Sequence, residues 1–251
     1  MTDQISTLPY FTFRHVELTD IKSLTEKAIS EQNKFSILYL NHHIYNLCLK
    51  NKELRDAISS STSVHLDGIG IWLGLKMLGS KDLTRFNWTD NAKNYLKHCA
   101  VKNYSLFFYG GEQATLRIAE KTLRDTIPGL HIKGMIDGYT SLSDDEIVAR
   151  INEAKPNVLW VGLGSPRQEL WIFRNIDRLN INIIQSTGDI MSELAGIKKR
   201  GPKYLQKAGF EWVVRLIYNP VKYWKRYLIG IPHFFLNLLG IKFRQFMGGK
   251  H

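Results

Sequence analysis

Short runs of β-branched and aromatic residues alternate along this chain with longer stretches in which apolar positions recur at helical spacing. FSILYLN (35–41), SVHLDG (63–68), YSLFFYGG (104–111), HIKGMIDGY (131–139), NVLWVG (157–162) and INIIQSTG (181–188) have the composition and length of strands. HHIYNLCLKNKELRDAIS (42–59) predicts one helix, and IGIWLGLKMLG (69–79) a second. NWTDNAKNYLKHCAVKN (87–103) and EQATLRIAEKTLRDTI (112–127) predict two more, the latter stopped by Pro128. SDDEIVARINEAK (143–155) opens with Ser143 as N-cap and Glu146 completing a capping box. Strands that alternate with helices predict βαβ units: an α/β, Rossmann-like, mostly parallel sheet with helices on both faces.

In such open sheets ligands bind outside the carboxyl ends of the strands. That rule selects Asn41, Asp67, Gly110, Gly111, Gly138, Tyr139, the segment from Gly162 to Glu169, and Gly188. The sharpest corner is VGLGSPRQELW (161–171). Gly162 and Gly164 free the backbone to turn. Ser165 is then expected as N-cap, Pro166 at N1, and Gln168 at N3 of a capping box. The exposed N–H groups and positive dipole end of that helix suit a phosphate, although the same pattern serves a helix that is merely capped. The dinucleotide fingerprint G-x-G-x-x-G fails, because Arg167 stands where the third glycine belongs.

Charge changes the picture. From Lys198 to the end there are twelve Lys and Arg and one acid, Glu211, so this segment carries the entire net charge of +11 and leaves residues 1–197 neutral. The same segment holds eleven of the 29 aromatic residues. We expect an α/β catalytic body over 1–197 and a basic, aromatic helical appendage over 198–251. Such an appendage points to an anionic partner: a phosphorylated ligand, an acidic membrane surface or nucleic acid. Its most apolar run, LIGIPHFFLNLLGI (228–241), is shorter than the roughly 20 residues a bilayer span requires. The first ten residues have neither the basic nor the apolar region of a secretory leader. Cys48 and Cys99 fit buried thiols in a reducing compartment. His42, His43 and His65 have no carboxylate or thiol at ligand spacing, and there is no D-x-D, so neither a metal nor a cofactor is expected.

The motifs taken together resemble the WecG/TagA/CpsF family of bacterial glycosyltransferases. VGLGSPRQELWI (161–172) is similar to the family signature, LDGIGI (66–71) to its D-G-I-G segment, and TRFNWTD (84–90) to its E-R-x-x-G-x-D segment. FFYGG and DGY fall where the family has G-G and G-Y, and the basic end is similar to its R-A-P, L-E-W-x-x-R-L and P-x-R region. The likeness runs collinearly over roughly 35–230. It implies inverting transfer of a hexose or N-acetylhexosamine from a UDP-sugar donor to an undecaprenyl-diphosphate-linked saccharide, on the cytoplasmic face of the membrane. Asp67 is implied as the base and Arg215 as a second catalytic residue. Donor binding is implied for Asn41, Arg85, Asp90, Gly110, Gly111, Tyr139, Gly162, Gly164, Ser165, Pro166, Gln168 and Glu169. Arg200, Lys222, Lys225 and Arg226 are implied to meet the diphosphate or an anionic inner membrane surface. Cationic groups then stand in for a metal at the leaving group. The chain departs from the pattern at Tyr39 for threonine, Trp88 for glycine, Ser192 for aspartate, and Lys222 and Lys225 for arginines. These changes surround the expected sugar and acceptor pocket and bear on the sugar more than on the reaction. Two rival readings are a nucleotide-cofactor oxidoreductase, weakened by Arg167, and a non-enzymatic basic module. No recognised nucleic-acid-binding module is visible, so nucleic acid is not an expected partner; association into a homo-oligomer stays open.

Overall fold

The computed structural model describes residues 5–8, 11–80, 83, 86–198 and 200–248. An antiparallel pair, β1 (Ile5–Leu8) and β2 (Phe11–Arg14), precedes α1 (Leu18–Ser30). The body continues as β3 (Phe35–Leu40), α2 (His42–Cys48), α3 (Lys52–Ser60), β4 (Ser63–Leu66), α4 (Ile69–Met77) and α5 (Trp88–Val101). Then come β5 (Ser105–Gly110), α6 (Gln113–Thr126), β6 (His131–Ile136), α7 (Asp144–Ala154), β7 (Val158–Gly162), α8 (Arg167–Asn175), β8 (Ile183–Ser186) and α9 (Ile190–Leu194). The basic segment forms α10 (Lys203–Lys207), α11 (Glu211–Tyr218), α12 (Pro220–Trp224) and α13 (Gly230–Gly248), the last two joined by a π-helical turn over Lys225–Ile229.

Strands β3 to β8 make one six-stranded, all-parallel sheet in the order β4-β3-β8-β7-β5-β6. Its central strands are apolar on both faces because helices cover both. One core joins Ile44, Leu54, Leu75, Ile147 and Ile172 from α2, α3, α4, α7 and α8. The other joins Ile21, Ala92, Leu116 and Ile190 from α1, α5, α6 and α9. The helices after β3 and β7 therefore lie on one face and the helix after β8 on the other. At such a switch the strand-end loops diverge and leave a crevice. It opens over β8, flanked by β3 and β7.

Two expectations for this region need correction. The helix expected over 42–59 is two helices, because Asn51 breaks it and caps the second, its Oδ1 accepting from Leu54 N at 3.0 Å. Ser165 does not cap α8: that helix begins at Arg167 with Pro166 in the cap position and no side-chain cap bond. The expected Ser143–Glu146 capping box is present.

Helix α13 packs into the first core. Phe234 and Leu238, one turn apart, are fully buried with Ile44, Tyr45, Ile71 and Leu75. The fit depends on Gly74 of α4, where an added Cβ would lie 2.5 Å from both Phe234 Cζ and Leu238 Cδ1. The opposite face of α13 carries Leu236, Leu239, Phe243 and Met247, all exposed.

Candidate active site

The crevice over β8 is a cleft of about 400 Å³. Its floor comes from strand ends: Tyr39 on β3, His65 and Asp67 at the end of β4, Gly164 and Ser165 after β7, and Thr187, Gly188 and Asp189 after β8. Its cations come from beyond the sheet. Lys198, Arg215 on α11, Lys222 on α12, and Lys225 and Arg226 on the π-helical turn all line it. A second cleft of about 300 Å³ adjoins it and is mostly apolar. Gly68, Leu73, Phe210, Trp212, Ile231 and Phe235 line that second cleft, which runs along α13. Asp67, Arg215 and Arg226 line both clefts.

The signature segment acts beneath the first cleft. Ser165 Oγ donates to Glu169 Oε1 at 3.1 Å, so the 2.6 Å contact between Tyr39 OH and Ser165 Oγ places the tyrosine as donor. Gln168 Nε2 also donates to Glu169 Oε1 at 2.7 Å, while Gln168 Oε1 accepts from Gly188 N at 3.2 Å. One buried network therefore fixes β3, the β7–α8 corner and the β8–α9 corner relative to one another. Glu169 is fully buried, and burial raises its pKa to about 7 against the opposing bonds from Gln168 and Ser165. Burial pushes His65 down to about 3. His42 is lowered to about 3 and His43 to about 4, in both cases by burial and then by the Arg226 charge. All three are neutral at physiological pH. Burial, then the neighbouring Arg215, lowers Lys198 from the ordinary lysine range. Burial works against the Arg215 charge, but Tyr227, Asp67 and Glu211 more than offset it and raise its pKa. Arg226 Nε is buried without a hydrogen-bond partner among the described residues.

The remaining expected site residues separate by position. Asn41 lines the second cleft, not the first; its Oδ1 caps α2 by accepting from His43 N and Ile44 N, both at 3.0 Å. Asp90 and Arg200 line neither cleft. They pair with each other at 2.7 Å, and Arg200 also reaches Glu193 at 3.6 Å and hydrogen-bonds Glu211. That hub anchors α11 to the body below Arg215. Gly110, Gly111 and Gly162 stand at the carboxyl edge but line neither cleft. Gly110 lies flat against the Gly162 backbone, where any Cβ would collide. Tyr139 is exposed on the loop after β6, away from both clefts. Pro166 follows the corner, and Arg85 lies outside the described residues. Among the described residues no group of three His, Cys, Asp or Glu is placed to hold a metal ion. His43, His65, Asp189 and Lys198 belong to the cleft but were not among the expected site residues. His65 carried a usable signal: it stands two residues before Asp67, on the same side of an extended strand.

A cationic cleft over the switch point of a parallel sheet, with a carboxylate at its inner edge, has the charge and the position in the fold to take an anionic ligand. The family model described as "Glycosyl transferase WecG/TagA/CpsF family" matches residues 7–247. The chain belongs to this family of glycosyltransferases. It is similar to the N-acetylglucosaminyldiphosphoundecaprenol N-acetyl-beta-D-mannosaminyltransferase of Bacillus subtilis (strain 168), 28% identical over 242 residues, 95% of this chain and 91% of the relative. The Staphylococcus aureus (strain NCTC 8325 / PS 47) protein of the same name is 26% identical over 217 residues, 86% of this chain and 84% of the relative.

Proposed function

We propose that this glycosyltransferase moves N-acetylmannosamine, with inversion, from a UDP donor to an N-acetylglucosaminyl-diphosphate-undecaprenol acceptor at the cytoplasmic membrane surface. One observation carries the reading: Asp67 stands where a cationic and an apolar cleft meet, with Arg215 and Arg226 beside it. The cationic cleft suits the donor diphosphate, and the apolar one suits the acceptor. In the transfer, the acceptor hydroxyl attacks C1 of the sugar as Asp67 takes its proton. The new C1–O bond forms as the bond from C1 to the β-phosphate oxygen breaks, and that electron pair leaves with UDP. Lys198, Lys222, Lys225 and the two arginines stabilise the growing diphosphate charge in a site of low dielectric.

Membrane contact falls to the helical end of the chain. No described helix is long and apolar enough to cross a membrane. Helix α13 nevertheless exposes Leu236, Leu239, Phe243 and Met247, and Ile217, Val221, Leu228 and Ile229 extend the exposed apolar surface before it. Apolar residues flanked by cations are the composition of a segment lying in the interface of an anionic bilayer. The second cleft takes in Ile231 and Phe235 at the start of α13, and on this reading a lipid-linked acceptor enters from the membrane side. The test is a screen of UDP-sugars against a lipid-diphosphate-N-acetylglucosamine analogue, scored by UDP release. Release from UDP-N-acetylmannosamine that depends on the acceptor is the expected result; acceptor-independent binding of NADH with no sugar transfer would replace the reading with an oxidoreductase.

A further inference from the structure

The floor of the cationic cleft holds a side chain that the proposed transfer does not use. His65 pairs with Tyr39 across β4 and β3 and is closed in by three rings. The centroids of Tyr39, Phe86 and Trp88 lie 5.8, 4.8 and 5.9 Å from its own. His65 is only 2% exposed, yet it lines the cleft beside Asp67, so it presents one edge. Nδ1 is buried with no hydrogen-bond partner among the described residues, whereas Nε2 is neither buried nor bonded. That difference fixes the proton. A buried N–H without an acceptor costs more than a bare lone pair, so Nδ1 is the bare nitrogen and Nε2 carries the hydrogen. Burial alone holds the pKa at about 3, and the ring is neutral. For the fold this histidine is a burden: a phenylalanine would fill the same ring-lined slot and leave no polar atom unpaired. An uncharged donor kept against that burden, with its free edge at the cleft, points to a ligand oxygen.

We infer that His65 donates its Nε2–H in a hydrogen bond to an oxygen of the transferred sugar, and so holds C1 in line with the acceptor hydroxyl at Asp67. The inference rests on the transfer proposed above. Asp67 lines both clefts and His65 only the cationic one, so His65 lies on the donor side of the base. Two residues along an extended strand, on one side of it, stand about 7 Å apart, which is the span of a single sugar ring with its substituents. The diphosphate has stronger partners in Lys198, Lys222, Lys225 and the arginines, all from beyond the sheet. The sugar is uncharged, and a neutral donor on the cleft floor suits its oxygens. The Tyr39 hydroxyl next to His65 is already committed to Ser165.

The test measures kcat/KM for transfer from UDP-N-acetylmannosamine to a soluble lipid-diphosphate-N-acetylglucosamine analogue, together with UDP affinity by calorimetry and the melting temperature. His65→Phe keeps a ring and removes the donor. It is expected to lower kcat/KM by about 5- to 150-fold, the effect of leaving one buried oxygen unpaired. UDP lacks the sugar and should bind within about threefold of its affinity for the intact protein, and the melting temperature should not fall. His65→Gln, whose amide nitrogen reaches the place of Nε2, is expected to run at least about threefold faster than His65→Phe. His65→Asn, whose amide matches Nδ1 instead, is the second donor-free variant and is expected to be as slow as His65→Phe. The ratio of the intact enzyme to His65→Gln should stay constant from about pH 5.5 to 8.5, because neither side chain changes charge there; a ratio that falls as pH rises through about 6.5 marks a charged imidazole and overturns the assignment. A parallel loss of UDP affinity moves the bond to the diphosphate. That result, full turnover in His65→Phe, or a His65→Gln enzyme no faster than His65→Phe refutes the inference while the transfer reading stands. Failure of the intact enzyme to release UDP from any UDP-sugar, with UDP unbound in calorimetry, refutes the transfer reading and the inference with it.

Discussion

Helix α13 presents two apolar faces, and the account assigns them opposite duties. Phe234 is fully buried, its ring edge-on to Tyr45 at 5.1 Å and against Gly74 of α4. Replacing it with alanine removes a buried aromatic and leaves a cavity, which costs about 3–5 kcal/mol. For a chain of this size each kcal/mol lowers the melting temperature by about 2–4 °C, so Phe234→Ala is expected to melt about 6–20 °C lower. Leu236, two residues on, is 67% exposed. Its truncation is expected to change stability by less than about 0.5 kcal/mol. Binding to vesicles containing anionic lipid should show the reverse order. Leu236→Ala combined with Phe243→Ala withdraws two exposed apolar side chains, each worth up to about 1.5–3 kcal/mol when buried, and should weaken binding at least about tenfold. Phe234→Ala should leave vesicle binding nearly intact below its melting temperature. Urea unfolding and vesicle co-sedimentation read the two effects separately. Equal stability losses at Phe234 and Leu236 would show that α13 is not docked as described, and unchanged vesicle binding by the double variant would remove the membrane role of its outer face.

Three further outcomes follow from the electrostatics. Burial, joined by the Arg226 charge at His42 and His43, holds His42 and His65 near pKa 3 and His43 near 4, against about 6.5 in the unfolded chain. The unfolded state thus binds more protons between these values, and stability falls on acidification by about 1.4 kcal/mol per pH unit for each histidine. Glu169, raised to about 7, acts in the opposite sense between about 4.5 and 7, so the decline steepens below pH 4.5; urea midpoints that stay flat from pH 6.5 to 4 would contradict the assignment. Arg200→Gln leaves Asp90, Glu193 and Glu211 without their shared cation and is expected to cost about 1.5–3 kcal/mol and to raise the donor KM through movement of α11; an unchanged melting temperature would count against that anchor. Turnover should survive EDTA, since side-chain cations line the donor cleft, and loss of turnover restored by Mg²⁺ or Mn²⁺ would require another leaving-group stabiliser.

All six strands of the parallel sheet were legible as short β-forming runs, clearest in β5 and β7, whose burial on both faces leaves nearly uninterrupted apolar sequence, and less so in the edge strand β6, where His131 and Lys133 are exposed. The ligand edge followed from topology alone. The side chains' duties at that edge were less legible, since one residue type serves several ends. Asn41, Ser165 and Gln168 all suit a helix start, but only Asn41 caps one; Ser165 and Gln168 turn inward to Glu169, four residues after the serine and next to the glutamine, a partner that the capping pattern does not single out. Asp90 and Arg200 are 110 residues apart and meet only in the fold, where they neutralise each other. His65, at the end of β4, and Lys198, after α9, become parts of one cleft only once the strand ends and the helical end of the chain are brought together. The uneven charge announced a basic segment, but not that its helices would carry cations back to the carboxyl edge or bury Phe234 and Leu238 in the main core.

The central claim is that Asp67, at the junction of the two clefts, takes the proton from the acceptor hydroxyl. The most direct measurement is turnover of Asp67→Asn on a soluble lipid-diphosphate analogue, alongside calorimetric UDP binding and a melting temperature. Loss of a general base lowers turnover by about 10²- to 10⁴-fold. That loss is expected with UDP affinity changed by less than about threefold and the fold intact, because in the proposed transfer the diphosphate falls to Lys198, Lys222, Lys225 and the arginines that line the cleft. A folded Asp67→Asn protein that binds UDP and turns over at near the wild-type rate would contradict it.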